Sequence, residues 1–212
     1  QQGQPFRMHS VTVSQKANLE ALFPGKFRFT ENRDSFDYIY ESEALITLAG
    51  KKLHSKRNFI NRFKAEQEGK WRYEPITPEN IDACWAMNKQ WCEQMGCGDD
   101  PSLADEMCAV KGCFENFQAL GLSGGVLFVE DRVVAYTMGR PLNSDTFIVH
   151  IEKAFPQVAG AYPTINQQFV SHRCGDFKYI NREDDVGDEG LRKAKLSYKP
   201  AILLEKYLVE LA

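Results

Sequence analysis

Apolar positions beyond residue 71 switch between two spacings, and each switch marks a predicted element. From Trp71 to Ile76 apolar and polar residues alternate, which is typical of a strand. Two segments follow in which apolar residues recur every three or four positions, as in helices. From Gly124 onward, short apolar runs and turns predict three strands, a helix, a strand, a helix and a final strand. This order predicts an α/β domain with a mixed sheet flanked by helices over residues 71–212.

The first 42 residues predict a smaller set of elements. Phe6 to Val13 has a strand pattern, Ser14 to Phe23 a helical one, and two further strands end at Tyr40. One strand, one helix and a hairpin cannot cover both faces of a sheet, so we expect residues 1–42 to be the end of an incomplete domain. Residues 43–70 predict a basic helical connector with a break at Gly50.

Composition narrows the class of protein without naming a partner. The 212 residues are 43% hydrophobic and 26% charged, an ordinary balance for a globular domain. A net charge of −3 gives no overall attraction to nucleic acid or membranes, so any such attraction must be local. No apolar run approaches the roughly 20 residues of a membrane span.

The six cysteines contain no CxxC pair, which argues against a zinc site and predicts no metal. Their placement on apolar helix faces predicts reduced, buried thiols in a cytoplasmic protein.

Ionisable residues end the strand predicted from Thr146 to Lys153. His150 and Glu152 should point to one face of the sheet, and Lys153 to the other. Open α/β sheets bind ligands at the carboxyl ends of their strands. We therefore predict Glu152 as a general base, with a structural ion pair as the alternative. His150 is predicted as a second base, as a residue that orients Glu152, or as a core residue satisfied by one hydrogen bond.

The helix after this strand is expected to begin near Pro163, which suits the first helical position. The free backbone N–H groups would then belong to Thr164, Ile165 and Asn166. A helix N-terminus of this kind favours a phosphate or a developing oxyanion.

The helix predicted from Asp188 to Tyr198 has two interpretations. Spacings such as Asp188–Arg192 are those of stabilising pairs on an exposed helix face. The alternative is a site, because three polar residues end the preceding strand and three cations follow on one helix stripe. These residues are Asn181, Arg182 and Glu183, followed by Arg192, Lys195 and Lys199, with the cations predicted to hold phosphate.

The predicted connector is unusually basic. Six cations lie between Lys51 and Lys64 without an intervening acid. Lys56, Arg57 and Asn61 are predicted to contact the phosphates of tRNA or of an anionic lipid headgroup. The alternative is a solvated helix face.

The order of elements resembles the GNAT fold of N-acyltransferases. In that fold a loop of pattern Q/R-x-x-G-x-G/A cradles the pyrophosphate of acyl-CoA, and here the loop reads Gln157-Val-Ala-Gly160-Ala-Tyr162. The bulky Tyr162 departs from the pattern and disfavours acyl-CoA as the donor. The resemblance also implies Tyr198 as a general acid.

A closer resemblance covers nearly the whole chain. The stretches "AGKKLHSKRNFINRF", "VVAYTMG", "VHIEKA", "GAYPTIN" and "YINREDDVGDEGLRKAKLSYKP" are similar to a bacterial family of tandem GNAT-like proteins. That family is related to the catalytic domain of phosphatidylglycerol lysyltransferases, whose members take an aminoacyl group from charged tRNA. The resemblance implies that residues 1–42 end a first GNAT-like half and that residues 71–212 form a complete one.

Together these features predict an acyl or aminoacyl transferase, cytoplasmic or peripheral to the membrane, acting on an amine or hydroxyl. The alternatives are an acyl-CoA-dependent N-acetyltransferase and a non-catalytic module that binds tRNA, lipid or protein. The residues predicted to bind substrate or donor are Lys56, Arg57, Asn61, Lys153, Gly160, Tyr162, Thr164, Asn166, Asn181, Arg182, Glu183, Arg192 and Lys195.

Overall fold

A computed structural model describes residues 5–97 and 101–212 of the chain. Short 3₁₀ turns occupy Arg33–Ser35 and Lys51–Leu53, and a π-helical turn occupies Val170–Cys174. The helices and strands are, in chain order, β1 (Arg7–Thr12), α1 (Val13–Leu22), β2 (Phe27–Glu31), β3 (Asp37–Glu41), α2 (Ser42–Thr47), α3 (His54–Glu66), β4 (Trp71–Pro75), α4 (Ile81–Met95), α5 (Pro101–Glu115), β5 (Ser123–Val129), β6 (Arg132–Pro141), β7 (Thr146–Ala154), α6 (Ala161–Phe169), β8 (Tyr179–Asn181), α7 (Glu189–Leu196), β9 (Ile202–Leu204) and β10 (Lys206–Leu211).

The chain folds into two compact units. One comprises residues 41–180, and the other comprises residues 1–40 together with residues 181–212. The domain boundaries that the sequence predicts, at residues 42 and 70, stay predictions.

In the unit of residues 41–180, the strands are ordered β4-β5-β6-β7-β8, and the first three pairings are antiparallel. Strands β5 and β6 are buried along most of their length because helices cover both faces. Helices α4 and α5 pack on one face, and α6 packs on the other with α3 behind it. The first four residues of β7 are buried, as a strand between two helical layers requires.

In the unit of residues 1–40 and 181–212, β10 is the centre of the antiparallel sheet β1-β10-β2. Strands β3 and β9 form an antiparallel pair, with Tyr38 opposite Leu203. The segment 181–183 runs beside β3 through backbone hydrogen bonds of Tyr38 with Arg182 and Glu183. Asp188 caps α7 by accepting a hydrogen bond from the N–H of Leu191.

The predicted order of elements is confirmed, and some boundaries differ. Helix α4 begins at Ile81 because the side chain of Asn80 accepts from the N–H of Thr77 and donates to the carbonyl of Pro75, which holds residues 75–80 in a turn. The predicted last strand is divided into β9 and β10.

The prediction of reduced thiols is wrong for two of the six cysteines. Cys92, near the end of α4, forms a disulfide with Cys97. Cys84 and Cys174 are buried thiols, whereas the thiol of Cys108 is exposed, so burial was wrongly predicted there. A Cys-x₄-Cys spacing across a helix end lacks the CxxC signature, so the spacing alone does not predict this pair.

Within residues 5–97 and 101–212, no helix combines the length and apolar character that a membrane span requires. In the same part of the chain, no three His, Cys, Asp or Glu side chains are grouped so that they could hold a metal ion.

Candidate active site

Glu152 lies near the carboxyl end of β7, half-buried on the face covered by α6. Its Oε2 accepts a hydrogen bond of 2.9 Å from Nδ2 of Asn166, which α6 projects onto the strand. On β6, the buried Thr137 is directly opposite Glu152, and its hydroxyl donates to the carbonyl of Ile151. The strand and the helix together therefore fix the position of the carboxylate.

Asn166 and Glu152 are both predicted site residues, and the structure brings them together. Asn166 was predicted for its backbone N–H, whereas the structure uses its side-chain amide. His150 precedes Glu152 by two residues and is half-buried like it, as strand periodicity requires. A carboxylate held in this way can accept a proton from a nucleophile.

Lys153 points to the opposite face of the sheet. Its Nζ lies 2.8 and 2.9 Å from the two carboxylate oxygens of Glu106 on α5 and 3.8 Å from the centre of the Trp91 ring on α4. The ion pair and the cation–π contact hold Lys153 between the helices and the sheet. The structure therefore does not bring Lys153 together with Glu152.

Helix α6 begins at Ala161, two residues earlier than predicted. Gly160 precedes it in the left-handed region (φ +81°), and the N–H of Thr164 donates to the carbonyl of Gly160 at 3.1 Å. The hydroxyl of Thr164 donates to the same carbonyl at 2.7 Å. The prediction that Thr164 offers a free N–H to an oxyanion is wrong, because the earlier start places this N–H inside the first helical turn.

The loop that resembles a pyrophosphate cradle is closed on one side. A Cβ at Gly160 would lie 2.3 Å from the backbone oxygen of Phe59, so α3 occupies the space beside the glycine. Tyr162 is half-buried, and burial raises the pKa of its phenol. The side chain of Gln157 donates to Gln94 of α4. The close packing of α3 therefore explains why position 160 is a glycine, and no bound nucleotide is needed to explain it.

The predicted basic residues of α3 differ in their surroundings. Nη1 of Arg57 donates to the carbonyls of Leu48 and Gly50, so this side chain fastens the end of α2 to α3. Lys56 is half-buried, and Asn61 is exposed. The predicted roles of these three residues in donor binding stay predictions.

Asp185 organises a network that sequence reasoning missed. Its side chain is fully buried and accepts hydrogen bonds from the hydroxyl of Tyr38 and the N–H of Gly187. It also accepts from Nε and Nη2 of Arg192 at 2.9 and 2.8 Å, and Nη2 donates to Asp34 at 2.7 Å. The only signal in the sequence was the position of Asp185 inside the longest stretch of family resemblance.

Burial alone would raise the pKa of Asp185, but the hydrogen bonds from Arg192, Tyr38 and Gly187 outweigh it and hold the pKa well below its usual range. The same bonds to Asp185, and the one to Asp34, raise the pKa of Arg192. Arg192 is thus a component of the network and stays charged.

The predicted phosphate-binding stripe on α7 is not formed. Lys195 is only 9% exposed, and its Nζ donates to the carbonyls of Arg182 and Asp184. Lys199 is exposed beyond the helix end. Two of the three predicted cations, Arg192 and Lys195, therefore stabilise the segment that precedes α7.

The remaining predicted residues of this unit surround β3. Nδ2 of the buried Asn181 donates to Asp37, and its Oδ1 accepts from the N–H of Glu183. The guanidinium of Arg182 lies 4.8 Å from the ring centre of Tyr198 and 5.7 Å from that of Tyr40. Tyr198 is 6% exposed, and its predicted role as a general acid stays a prediction.

Comparisons with known proteins agree on one family. A family model described as "Phosphatidylglycerol lysyltransferase, C-terminal" matches residues 2–210. A crystal structure of a conserved protein of unknown function from Bacteroides thetaiotaomicron is 45% identical, with a TM-score of 0.94, over 99% of this chain and 70% of that one. A curated, uncharacterized protein from Mycoplasmoides gallisepticum is 23% identical over 181 residues, which are 84% of this chain and 57% of that protein.

A more distant structure has the same fold. The C-terminal domain of a protein described as a lysylphosphatidylglycerol synthetase from Agrobacterium fabrum has a TM-score of 0.71 at 12% identity, over 98% of this chain and 68% of that one. The predicted GNAT-like α/β fold, with a mixed sheet flanked by helices, is confirmed.

Proposed function

Because the chain belongs to the phosphatidylglycerol lysyltransferase C-terminal family, we propose that it is a transferase that moves an acyl or aminoacyl group to an amine or hydroxyl acceptor. The donor in this proposal is an aminoacyl-tRNA, whose ester already carries an activated carbonyl. The proposal also implies a cytoplasmic protein, because charged tRNA is cytoplasmic, with peripheral contact to the membrane where the acceptor is an anionic lipid.

The observation that carries the proposal is the fixed carboxylate of Glu152. An acceptor amine or hydroxyl must lose a proton as it attacks the carbonyl, and a half-buried carboxylate at a strand end is suited to take it. Asn166 orients the carboxylate by donating a hydrogen bond to Oε2. His150 is the second choice of base.

Glu152→Gln in the full 212-residue chain tests the role of this carboxylate. The substitution keeps the size of the side chain and its ability to accept from Asn166 but removes the basic oxygen. With lysyl-tRNA as donor and phosphatidylglycerol vesicles as acceptor, we expect the transfer rate to fall by about 100-fold or more. Glu74→Gln is the matched control, because Glu74 makes a surface pair with Arg72 and should leave the rate unchanged.

The transfer assays distinguish between the candidate bases and between the candidate donors. Transfer that survives in Glu152→Gln and is lost in His150→Gln would move the base to His150. Transfer from acetyl-CoA to an amine, with none from aminoacyl-tRNA, would replace the proposed donor. If the wild-type chain moves neither group, the transferase proposal itself fails.

A further inference from the structure

Helix α4 ends in a turn that brings two side chains together across the helix end. Gly96 follows the helix in the left-handed region (φ +74°), and its N–H donates to the carbonyl of Glu93 at 3.3 Å. The N–H of Cys97 donates to the carbonyl of Cys92 at 3.1 Å. These two hydrogen bonds define the Schellman motif, in which the side chains at the positions of Cys92 and Cys97 are often apolar and in contact.

Both contact positions of this motif are cysteines. Their Cα atoms are 5.2 Å apart, and the two residues form a disulfide. The backbone hydrogen bonds of the motif fix this separation, which lies within the range that a disulfide spans. Because the left-handed conformation at position 96 favours glycine, the sequence Cys-x₃-Gly-Cys supplies both the turn and the pair.

The place of this bond in the chain makes its effect local. It encloses only the four residues 93–96, so it constrains the unfolded chain less than a bridge between distant segments would. In a cytoplasmic protein, which the proposed function implies, glutathione and thioredoxin keep thiols reduced, and a disulfide there is usually transient and often redox-sensing. The bond is therefore suited to change the order of one helical turn.

The last turn of α4 contacts both ends of the connection between β7 and α6. The centre of the Trp91 ring lies 3.8 Å from Nζ of Lys153, near the end of β7. Gln94, between the two cysteines, accepts a hydrogen bond of 3.2 Å from Gln157 in the loop before α6. Since Lys153 directly follows Glu152, a displacement of this turn would reach the strand that carries the candidate base.

The preceding turns of α4 are held by contacts that do not involve the disulfide. Oδ1 of the buried Asn88 accepts a hydrogen bond of 2.6 Å from the hydroxyl of Tyr136 on β6, and Nδ2 of Asn88 lies 3.0 Å from Sδ of Met107 on α5. Burial raises the pKa of the Cys84 thiol to about 12, so this cysteine supplies little thiolate for exchange with the pair. Opening the bond therefore acts on the turn that follows Asn88.

We propose that Cys92 and Cys97 form a redox switch for the candidate active site. When the pair is oxidised, the disulfide holds the last turn of α4 against the connection between β7 and α6 and keeps Glu152 in place. When the pair is reduced, this turn frays, Trp91 and Gln94 lose their fixed positions, and transfer slows. This inference rests on the proposed function, because transfer is the activity that the switch controls.

A peroxide and a dithiol balance the two directions of the switch. On oxidation, one thiolate attacks hydrogen peroxide and becomes a sulfenic acid, which condenses with the second thiol. The two thiols lose two protons and two electrons in total, one sulfur–sulfur bond forms, and the peroxide leaves as two molecules of water. On reduction, a dithiol donates two electrons and two protons, breaks that bond through a mixed disulfide, and is itself left as a disulfide.

Hydrogen–deuterium exchange of the full 212-residue chain, after treatment with hydrogen peroxide or dithiothreitol, tests the local effect. Mass spectrometry after thiol alkylation reports the state of the pair. The variant is Cys92→Ala with Cys97→Ala, which keeps small apolar side chains at the contact positions and cannot form the bond. The matched control is Cys108→Ala, which removes an exposed thiol outside the pair. Circular dichroism checks that every variant is folded.

We expect reduction of the wild type to raise amide exchange about tenfold in residues 93–97 and 157–160, because the last turn of α4 then opens locally. Amides of β5 and β6 should exchange equally in both states. The double variant should exchange like the reduced wild type under either treatment, and Cys108→Ala should respond like the wild type. Equal exchange in the two states, or a bond that a glutathione buffer of cytoplasmic composition leaves intact, would overturn the proposal.

Transfer assays separate the switch from the proposed function. We expect the oxidised wild type to transfer about tenfold faster than the reduced wild type, and the double variant to stay at the lower rate under either treatment. Glu152→Gln should lose transfer but keep the redox-dependent exchange. Redox-dependent exchange in a wild type that transfers nothing would sustain the redox-dependent turn and remove the proposed function. Equal transfer by the oxidised and the reduced wild type would sustain the proposed function and remove the switch.

Discussion

Asp185 is the residue on which the charged network of its unit depends. Its buried carboxylate bonds to Tyr38, Arg192 and the N–H of Gly187. Asp185→Asn keeps the size of the side chain but removes the charge that these donors share. Because breaking one partner of a buried ion pair leaves the other poorly solvated, we expect the free energy of unfolding to fall by about 3 kcal/mol, measured by urea denaturation at pH 7.

The pH dependence of this loss follows from the low pKa of Asp185. A carboxyl whose pKa is lower in the folded state stabilises the fold above its unfolded value of 3.8, and this stabilisation is lost as the pH falls below it. The difference between wild type and Asp185→Asn should therefore shrink below about pH 4. Asp188→Asn is the matched control, because asparagine caps a helix about as effectively as aspartate does. An equal loss in both variants would contradict the special role of Asp185.

Residue positions were predictable where periodicity alone decides them. Strand alternation correctly separated His150 and Glu152 from Lys153, because side-chain direction in a strand depends only on position. The role of Asp185 could not be predicted, because its partner Tyr38 lies 147 residues away in the sequence. Charge pattern indicated an exposed α7 face, and only tertiary packing decides that Lys195 points inward.

At the scale of elements, the least predictable feature was the contact between α3 and the start of α6. The sequence indicated both helices and a glycine between β7 and α6. Nothing in the sequence indicates that a helix some 100 residues earlier closes against that glycine, so only Tyr162 argued against a pyrophosphate in this loop. The same contact explains why α6 begins at Ala161: Gly160 adopts a left-handed conformation under Phe59, and the helix starts directly after it.

Gly160→Ala tests this contact between elements. A methyl group there would meet the backbone oxygen of Phe59 at 2.3 Å, in addition to the strain of φ +81°. We expect the free energy of unfolding to fall by about 2–4 kcal/mol in urea denaturation, from the conformational cost and the clash together. Gly69→Ala is the control, because Gly69 has φ +71° and no atom near the added methyl, so about 1–2 kcal/mol is expected. Equal losses in the two variants would mean that α3 shifts to accommodate the methyl group at position 160 with no loss of stability.

For the whole molecule, fold and reaction rest on different kinds of evidence. The fold persists in a relative that is only 12% identical, because many sequences fill the same layers of helix and sheet. A reaction depends on a few side chains and on the ligand they meet, so a shared fold does not transfer it. Measuring whether acetyl-CoA or an aminoacylated RNA stabilises the protein therefore discriminates between the two donors better than a further comparison of folds.

The response of the whole chain to acetyl-CoA is the clearest test between donors. Helix α3 fills the space beside Gly160. The half-buried Tyr162 occupies the position at which the acyl-CoA pattern has a small residue that admits the pyrophosphate. A ligand that binds only the folded state at 100 times its Kd stabilises by about 2.7 kcal/mol, which is a shift of several degrees in Tm. We expect no shift with 1 mM acetyl-CoA in differential scanning fluorimetry, and a shift with an aminoacylated RNA 3′-end fragment. A shift of several degrees with acetyl-CoA, abolished by Gly160→Ala in a variant that remains folded, would show that the loop opens to admit the nucleotide and would favour the acetyltransferase.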